Sequence, residues 1–579
     1  MIKINHNNKN IYNIRLFLIV GIIIAIAFCL VARLSYLFLV QKNFLEKQGA
    51  ARTLRTNTIP AYRGIIFDRM GEPLAVSTAV ETIWANPRII LHEDNYKKYS
   101  YSQLNQVLNL PKDYFYNKLQ ENKTKEFVYI KRHIAPDIAE LATKLDLPGI
   151  YSKREFRRYY PNGEVTSQLL GITSIDEQGQ EGVEFLFDKK LRGTSGKTSV
   201  LQDRLGRTIK TVKQISVAKP GENITLSIDL RLQYLTYTAL AKTIAEHNAE
   251  AGIAIIVDIK SGEILALANQ PSFNPNGRGD VNYKEVRNRA VTDLFEPGSI
   301  LKPISMAAVL NTNRISEDLV VDTDPGWYKI DNKVVRDIRN FGPLSLSGIL
   351  KKSSNIGVAK LTLQFEPENL INLLYKFGFT SPTAVNLPGE AAGWINQIKP
   401  GQHHKLATLS FGYGISATPM QLMQAYTVFA NDGKMIPLSF LKNNHNGLNN
   451  QNNFNEQVIS KAVANKILKM LNDVVQPDGT GRLAAIPNYE LAGKSGTTRR
   501  VTDGGYDENR HNSMFIGMAP YPNPKLAMLI FVIDPKNNEY YGGAVAGPVF
   551  SKVMASALKL YGIPPNNYKS DVANVAGDV

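Results

Sequence analysis

An α+β fold, in which an antiparallel sheet carries a helical region behind one N-terminal transmembrane helix, is the class that the order of patterns along this chain predicts. Three observations carry it. Residues Leu16–Ala32 read LFLIVGIIIAIAFCLVA without a charge, and after Arg33 the apolar run continues to Val40. Strand patterns at 224–268 and again at 489–533 flank a block in which helical stretches dominate, from Ile300 to Phe429. Strands, helices and strands in that order are the signature of helices laid on an antiparallel sheet.

The apolar run exceeds the roughly 20 residues that cross a bilayer. Lys3, Lys9 and Arg15 precede it with no acidic residue, which keeps the N-terminus cytoplasmic and exports the remainder. Ala25-Ile26-Ala27 imitates a signal-peptide cleavage site, but it lies inside the run rather than after it, so an uncleaved anchor is expected. From Gln41 to Pro220 the chain is charged and mixed, with short strand-like runs. Gly64 and Gly71, in Arg63-Gly-Ile-Ile-Phe-Asp-Arg-Met-Gly71, are read as turns bracketing a strand. Thr225–Asp229 then leads to a helix over Leu230–Glu246, and Gly252–Asp258, a turn at Lys260–Glu263 and Ile264–Ala268 form a hairpin. Later strands are expected at Tyr489–Thr498, Ser513–Ala519 and Leu526–Ile533. The asparagine-rich Lys442–Asn453 reads as a loop insertion, and the stretch after Ile563 as a C-terminal tail.

At 579 residues the chain exceeds a single growing core. With 67 basic against 51 acidic residues, 67 − 51 = +16, it suits anionic partners, yet no nucleic-acid module is evident. Cys29, the only cysteine, excludes an intrachain disulfide and a multi-cysteine metal site. No H-E-x-x-H occurs, His403-His404 reads as a surface pair, and no metal or other cofactor is implied. Gly493-Lys494-Ser495 imitates the end of a phosphate-binding loop, but Asn488 replaces its first glycine and no helix follows.

Three short motifs carry the chemistry: Ser299-Ile-Leu-Lys302, Ser353-Ser-Asn355 and Lys494-Ser495-Gly496-Thr497. Each alone is weak, since Ser216–Lys219 and Ser556–Lys559 also fit S-x-x-K and Lys260-Ser-Gly262 fits K-[ST]-G. Context separates Ser299. Phe295-Glu-Pro-Gly298 makes a turn before it, an apolar helix follows, and Pro303 falls in the first helical turn, where it is tolerated. The helix start favours a developing oxyanion. Spacing i, i+3 places Lys302 on the same face, where, with its pKa lowered by desolvation and a second cation, it could take the serine proton. Lys494 would be that second cation. The small Ser495 and Gly496 would let a substrate backbone lie along the strand edge, and Thr497 offers an N–H and a hydroxyl.

In this order, and with gaps of 353 − 299 = 54 and 494 − 353 = 141 residues, the motifs resemble the active-site set of penicillin-binding proteins and serine β-lactamases. The likeness extends to Asn288-Arg289, Ser410-Phe-Gly-Tyr-Gly414, Thr418-Pro419 and Tyr540–Phe550. Arg63–Gly71 and Gly179–Glu184 resemble the pedestal of the class B members. The resemblance implies an elongated, mostly β, non-catalytic pedestal of the dimerisation type over 41–220 and a transpeptidase domain over 221–562, behind a cytoplasmic tail at 1–15 and an anchor at 16–40. It implies that Ser299 attacks the penultimate D-Ala of a peptidoglycan stem peptide, with Lys302 as general base, Ser353 as proton relay and Asn355 orienting Lys302 and a substrate amide. Lys494 and Thr497 would hold the terminal carboxylate, and the N–H groups of Ser299 and Thr497 would form the oxyanion hole. β-Lactams would be covalent inhibitors. The division-specific branch fits best, which implies the inner membrane at the septum and partners including the septal glycosyltransferase FtsW. The elongation-specific branch and a D,D-carboxypeptidase or β-lactamase of the same fold are the alternatives. Anchor and pedestal weigh against the hydrolases.

Overall fold

The structure is a computed structural model and describes residues 7–91, 96, 100–203, 208–277, 282–383, 385–442, 456–502, 505–537 and 539–567. Most of the expected loop insertion at 442–453 and of the tail after Ile563 lies outside the described residues, as do the first residues of the N-terminal tail. Among the described residues one helix, Asn7–Leu39, contains a segment long and apolar enough to cross a membrane, Asn13–Leu39, whose most apolar 18 residues have a mean hydropathy of 3.0. None of those 18 residues is buried by protein, as a lipid-facing anchor requires.

The chain forms two compact units, one of 1–61, 79–156 and 194–219 and the other of 62–78, 157–193 and 220–579. Within the first, Leu54–Ile59, Gly196–Gln202 and Thr208–Ser216 make a three-stranded antiparallel sheet. A separate small core packs Ile83, Leu104, Phe115, Leu119 and Ile130 around helices of only six to nine residues. Those helices are too short to declare themselves by periodicity.

The second unit is built on a five-stranded antiparallel sheet of β1 (Ala251–Asp258), β2 (Ile264–Gln270), β3 (Ala492–Thr502), β4 (Gly505–Ala519) and β5 (Leu526–Ile533), in the order β2-β1-β5-β4-β3. Its central strands are unbroken apolar runs because both faces are covered. Alternate residues, such as Ile253, Ile255, Leu529 and Phe531, join one core with helices over 302–475. Their neighbours, Ala254, Ile256, Met528 and Ile530, join a second core with the helices Leu230–Glu246 and Gly547–Leu560. Period-two alternation thus sorts side chains between two apolar layers. Strand β3 starts three residues later than expected and is an open edge.

One sequence reading needs correction, at Gly64, and one gains detail. The block from 300 to 429, in which helices dominate, also holds short strands, since Val320–Asp322 pairs with Pro343–Ser345 and Trp327–Ile330 with Lys333–Arg336. Asp331, at φ +52°, makes the tight turn of the inner hairpin. Gly64 serves close approach rather than a turn, because a Cβ there would lie 2.0 Å from the Glu222 carbonyl oxygen. Beside it, buried Arg63 and Arg158 converge on buried Glu184, at 2.6 Å each, and Arg63 also reaches Asp188 at 2.8 Å. Gly179 and Glu184, noted as a motif, therefore enclose a paired charge cluster, with the Gly179 N–H donating to Asp188 at 2.8 Å.

Candidate active site

The turn that carries Ser299 is fixed from three sides. Gly298 has φ +54°, and a Cβ on it would lie 2.2 Å from Thr498 Cγ2. Its N–H donates to the Gly412 carbonyl, and Gly412 could not itself carry a Cβ without striking Gly298. The Tyr426 hydroxyl donates to the Ile300 carbonyl at 2.7 Å, and Ile300 fills the space over Gly496. Ser299 occupies a short 3₁₀ turn, Gly298–Ile300, followed by the helix Lys302–Leu310 with Pro303 in its first turn. The missing side chain of Gly496 thus makes room for the turn that carries Ser299, with the edge-strand backbone left open beside it. A Cβ there would lie 2.8 Å from Ile300 Cγ1.

Ser353 lies in the left-handed region, φ +58° and ψ +40°, where the helix Leu346–Lys352 ends, at a cost of about 1–3 kcal/mol that the surroundings must offset. Ser354 caps the next helix, Asn355–Thr362, accepting from Gly357 N at 2.8 Å. Asp337, just past the inner hairpin, accepts from Ser354 Oγ at 2.5 Å, from Asn355 N at 2.6 Å and from Ile356 N at 3.1 Å. Sequence reading missed Asp337, Gly412 and Tyr426. Gly412 lay within a noted motif, whereas nothing local marks the other two.

Lys302 and Lys494, both fully buried, converge on one hydroxyl, Ser353 Oγ, at 3.1 and 3.0 Å. Lys302 also donates to the Ser353 carbonyl, and Lys494 to the Ser495 carbonyl at 3.0 Å. Burial pulls the Lys302 pKa down from 10.5 to about 7, against an opposing attraction from Asp337. Burial, and then repulsion from Lys302, holds Lys494 well below the usual lysine range. Desolvation therefore dominates at both lysines, and the cation–cation effect anticipated for Lys302 registers on Lys494. The anticipated contact between Asn355 and Lys302 is not formed. The Asn355 amide donates to the Arg336 carbonyl at 3.0 Å, because Asp337 clamps the start of its helix.

Ser299, Ser353, Asn355, Ser495 and Thr497 line a single groove of about 540 Å³, with Arg499, His511, Tyr540 and Tyr541 along its far side. Thr497 Oγ1 accepts from Gly542 N at 2.9 Å, and Gly542 lies so close to Gly496 O that a Cβ would reach it at 2.0 Å. The Tyr-Tyr-Gly-Gly segment thereby forms a wall against the edge strand. The arrangement presents a half-buried serine hydroxyl, two buried ammonium groups whose proton affinity burial lowers, that of Lys302 to about 7, and an open strand edge.

The profile of the penicillin binding protein transpeptidase domain matches residues 252–555, and that of the penicillin-binding protein dimerisation domain matches 58–226. The chain belongs to the class B penicillin-binding proteins. As a member of that family it is a serine-type transpeptidase with an N-terminal apolar helix suited to a single-pass anchor. This class B penicillin-binding protein is 38% identical over 563 residues to the probable peptidoglycan D,D-transpeptidase PbpC of Pseudomonas aeruginosa, covering 97% of this chain and 98% of that one. It is 37% identical over 572 residues to the peptidoglycan D,D-transpeptidase FtsI of Escherichia coli, covering 97% and 95%. Among solved structures, a peptidoglycan synthetase from Bifidobacterium adolescentis superposes with a TM-score of 0.69 at 26% identity, covering 90% of this chain and 98% of that one.

Proposed function

We propose that this class B penicillin-binding protein cross-links septal peptidoglycan through an acyl-enzyme on Ser299. Ser299 Oγ attacks the carbonyl of the penultimate D-Ala of a stem peptide while its proton passes to neutral Lys302. The C–N bond to the last D-Ala then breaks, and the departing amine takes a proton through Ser353 Oγ. Lys494 and Thr497 hold the terminal carboxylate, the N–H groups of Ser299 and Thr497 receive the oxyanion, and Asn355 contacts a substrate amide. An amine of a second stem peptide then takes the acyl group. β-Lactams enter the same path and stop at the ester.

One observation carries this reading. Both buried lysine nitrogens touch the same hydroxyl, Ser353 Oγ, at the floor of the groove that holds Ser299, so a proton can move between base and leaving group without crossing water. Labelled penicillin should attach to Ser299, and Ser299→Ala should abolish labelling of the folded protein. Equal labelling of the variant would sink the reading.

The septal role is favoured by likeness to the FtsI sequences over nearly the whole chain. On this reading the cytoplasmic tail is 1–15, the anchor at 16–40 lies in the inner membrane, and the pedestal (41–220) and transpeptidase domain (221–562) lie in the periplasm, working with the glycosyltransferase FtsW and other division proteins. Depleting the protein from cells should give filaments with blocked septa. Round cells would instead assign it to elongation.

A further inference from the structure

A second groove, of about 520 Å³, lies beside the first and shares Thr498 and Arg499 with it. Among the described residues lining it, Glu296, three residues before Ser299, is the acidic one. Three residues of chain span at most about 10 Å, so this carboxylate stands next to the nucleophile turn. Its oxygens accept from Gly414 N at 2.9 Å and from Tyr506 Oη at 3.0 Å. Among the described residues no basic side chain forms an ion pair with it. The two arginines on the groove wall are engaged elsewhere, Arg499 with Glu508 at 3.4 Å and Arg500 with Glu250 and with Asp534 at 3.2 Å. Burial raises the Glu296 pKa, so its charge is held at a cost that a cation would relieve. Half-exposed Trp394 and Tyr506 also line the groove, and aromatic faces favour an alkylammonium.

We infer that this second groove receives the ammonium-bearing end of the acceptor peptide, with the Glu296 carboxylate as its counter-charge. The inference rests on the acyl-transfer reading above and assigns the other substrate of that reaction a place. In the transfer step the bound ammonium first releases one proton to bulk water. Its neutral nitrogen attacks the ester carbon, the C–N bond forms as the C–Oγ bond to Ser299 breaks, and a second amine proton passes to Ser299 Oγ, restoring the hydroxyl.

The test is how the acyl-enzyme divides between water and an amine. This ratio is independent of the rate of acylation. Full-length protein in detergent is given a soluble acyl donor ending in D-Ala-D-Ala and increasing glycinamide, which carries an ammonium and no carboxylate. Glu296→Gln keeps both hydrogen-bond acceptances on its amide oxygen while removing the charge. The aminolysis-to-hydrolysis ratio at fixed glycinamide should fall about 5- to 20-fold, and Trp394→Ala should lower it by a smaller factor. An unchanged ratio in both variants, with Ser299 still acylated, overturns the acceptor site alone. Failure of wild-type protein to be acylated at Ser299 would overturn the acyl-transfer reading and this site with it.

Discussion

Among the described residues two places bury a pair of cations, and they treat them in opposite ways. Beside Gly64, Arg63 and Arg158 share Glu184, and Arg63 has Asp188 as well. Burial works against the charge on Arg63, but Glu184 and Asp188 outweigh it and hold its pKa above the usual value. In the groove, Lys302 and Lys494 touch hydroxyl and carbonyl oxygens only, and their pKa values fall. Residue type matches the task, since a guanidinium keeps its proton under burial whereas an ammonium can surrender it. Paired buried cations serve architecture here, and in the proposed reaction an unpaired one supplies the base.

The sharpest break of this contrast is Lys302→Met. Acylation by penicillin should drop by roughly 10²-fold or more, the usual scale for removing a general base, as read by the rate of labelling. The fold should become more stable at the same time. Because the Lys302 pKa in the folded state, about 7, lies below its unfolded value near 10.5, the unfolded chain binds more protons between those limits. Wild-type stability therefore rises with pH across that window, and the penalty is complete below about pH 7. The gain in melting temperature of the variant should be largest at pH 6 and should fade towards pH 10. A variant less stable than wild type at pH 6 would contradict the burial argument.

Glu184→Gln makes the opposite experiment, leaving two arginines buried around a neutral amide. Breaking a buried pair from one side costs about 3–5 kcal/mol, so denaturant unfolding should move to a markedly lower midpoint. A change under 1 kcal/mol would show that the cluster tolerates unpaired charge as the groove does.

Gly496→Ala asks how tightly the groove is held by packing. Its Cβ would press on Ile300, costing about 1–3 kcal/mol by overpacking and displacing the turn of Ser299. Labelling should slow more than the stability loss alone would explain.

The smallest effect is expected from Asp337→Asn. The carboxylate attracts the Lys302 charge and raises its pKa against burial, so its removal should shift the acid limb of the acylation–pH profile to lower pH. An asparagine can still cap the helix, and a uniform loss at every pH would reduce Asp337 to a capping role.

Much of the layout was legible from the chain alone. The anchor, the helix Leu230–Glu246 and the strand Leu526–Ile533 declare themselves by unbroken or periodic apolarity, a property carried by consecutive residues. The three motifs were legible as residue types in a spacing, and their placement after a Pro-Gly turn distinguished Ser299 from its imitators. The hairpins at 320–345 were not legible, because strands of three or four residues have no period to detect.

The sequence by itself determined which groups can do chemistry: a serine at a helix start, two lysines, and an open strand of small residues. Only the tertiary structure decided what state they are in. Lys302 and Lys494 reach Ser353 across 51 and 141 residues, and the burial that lowers their proton affinity is supplied by cores assembled from all parts of the second unit. Asp337, Tyr426 and Ile300 act through the same kind of distant contact. A side chain's identity is local, but its solvation and neighbours are set by the fold, and here solvation is what lowers the proton affinity of the two lysines.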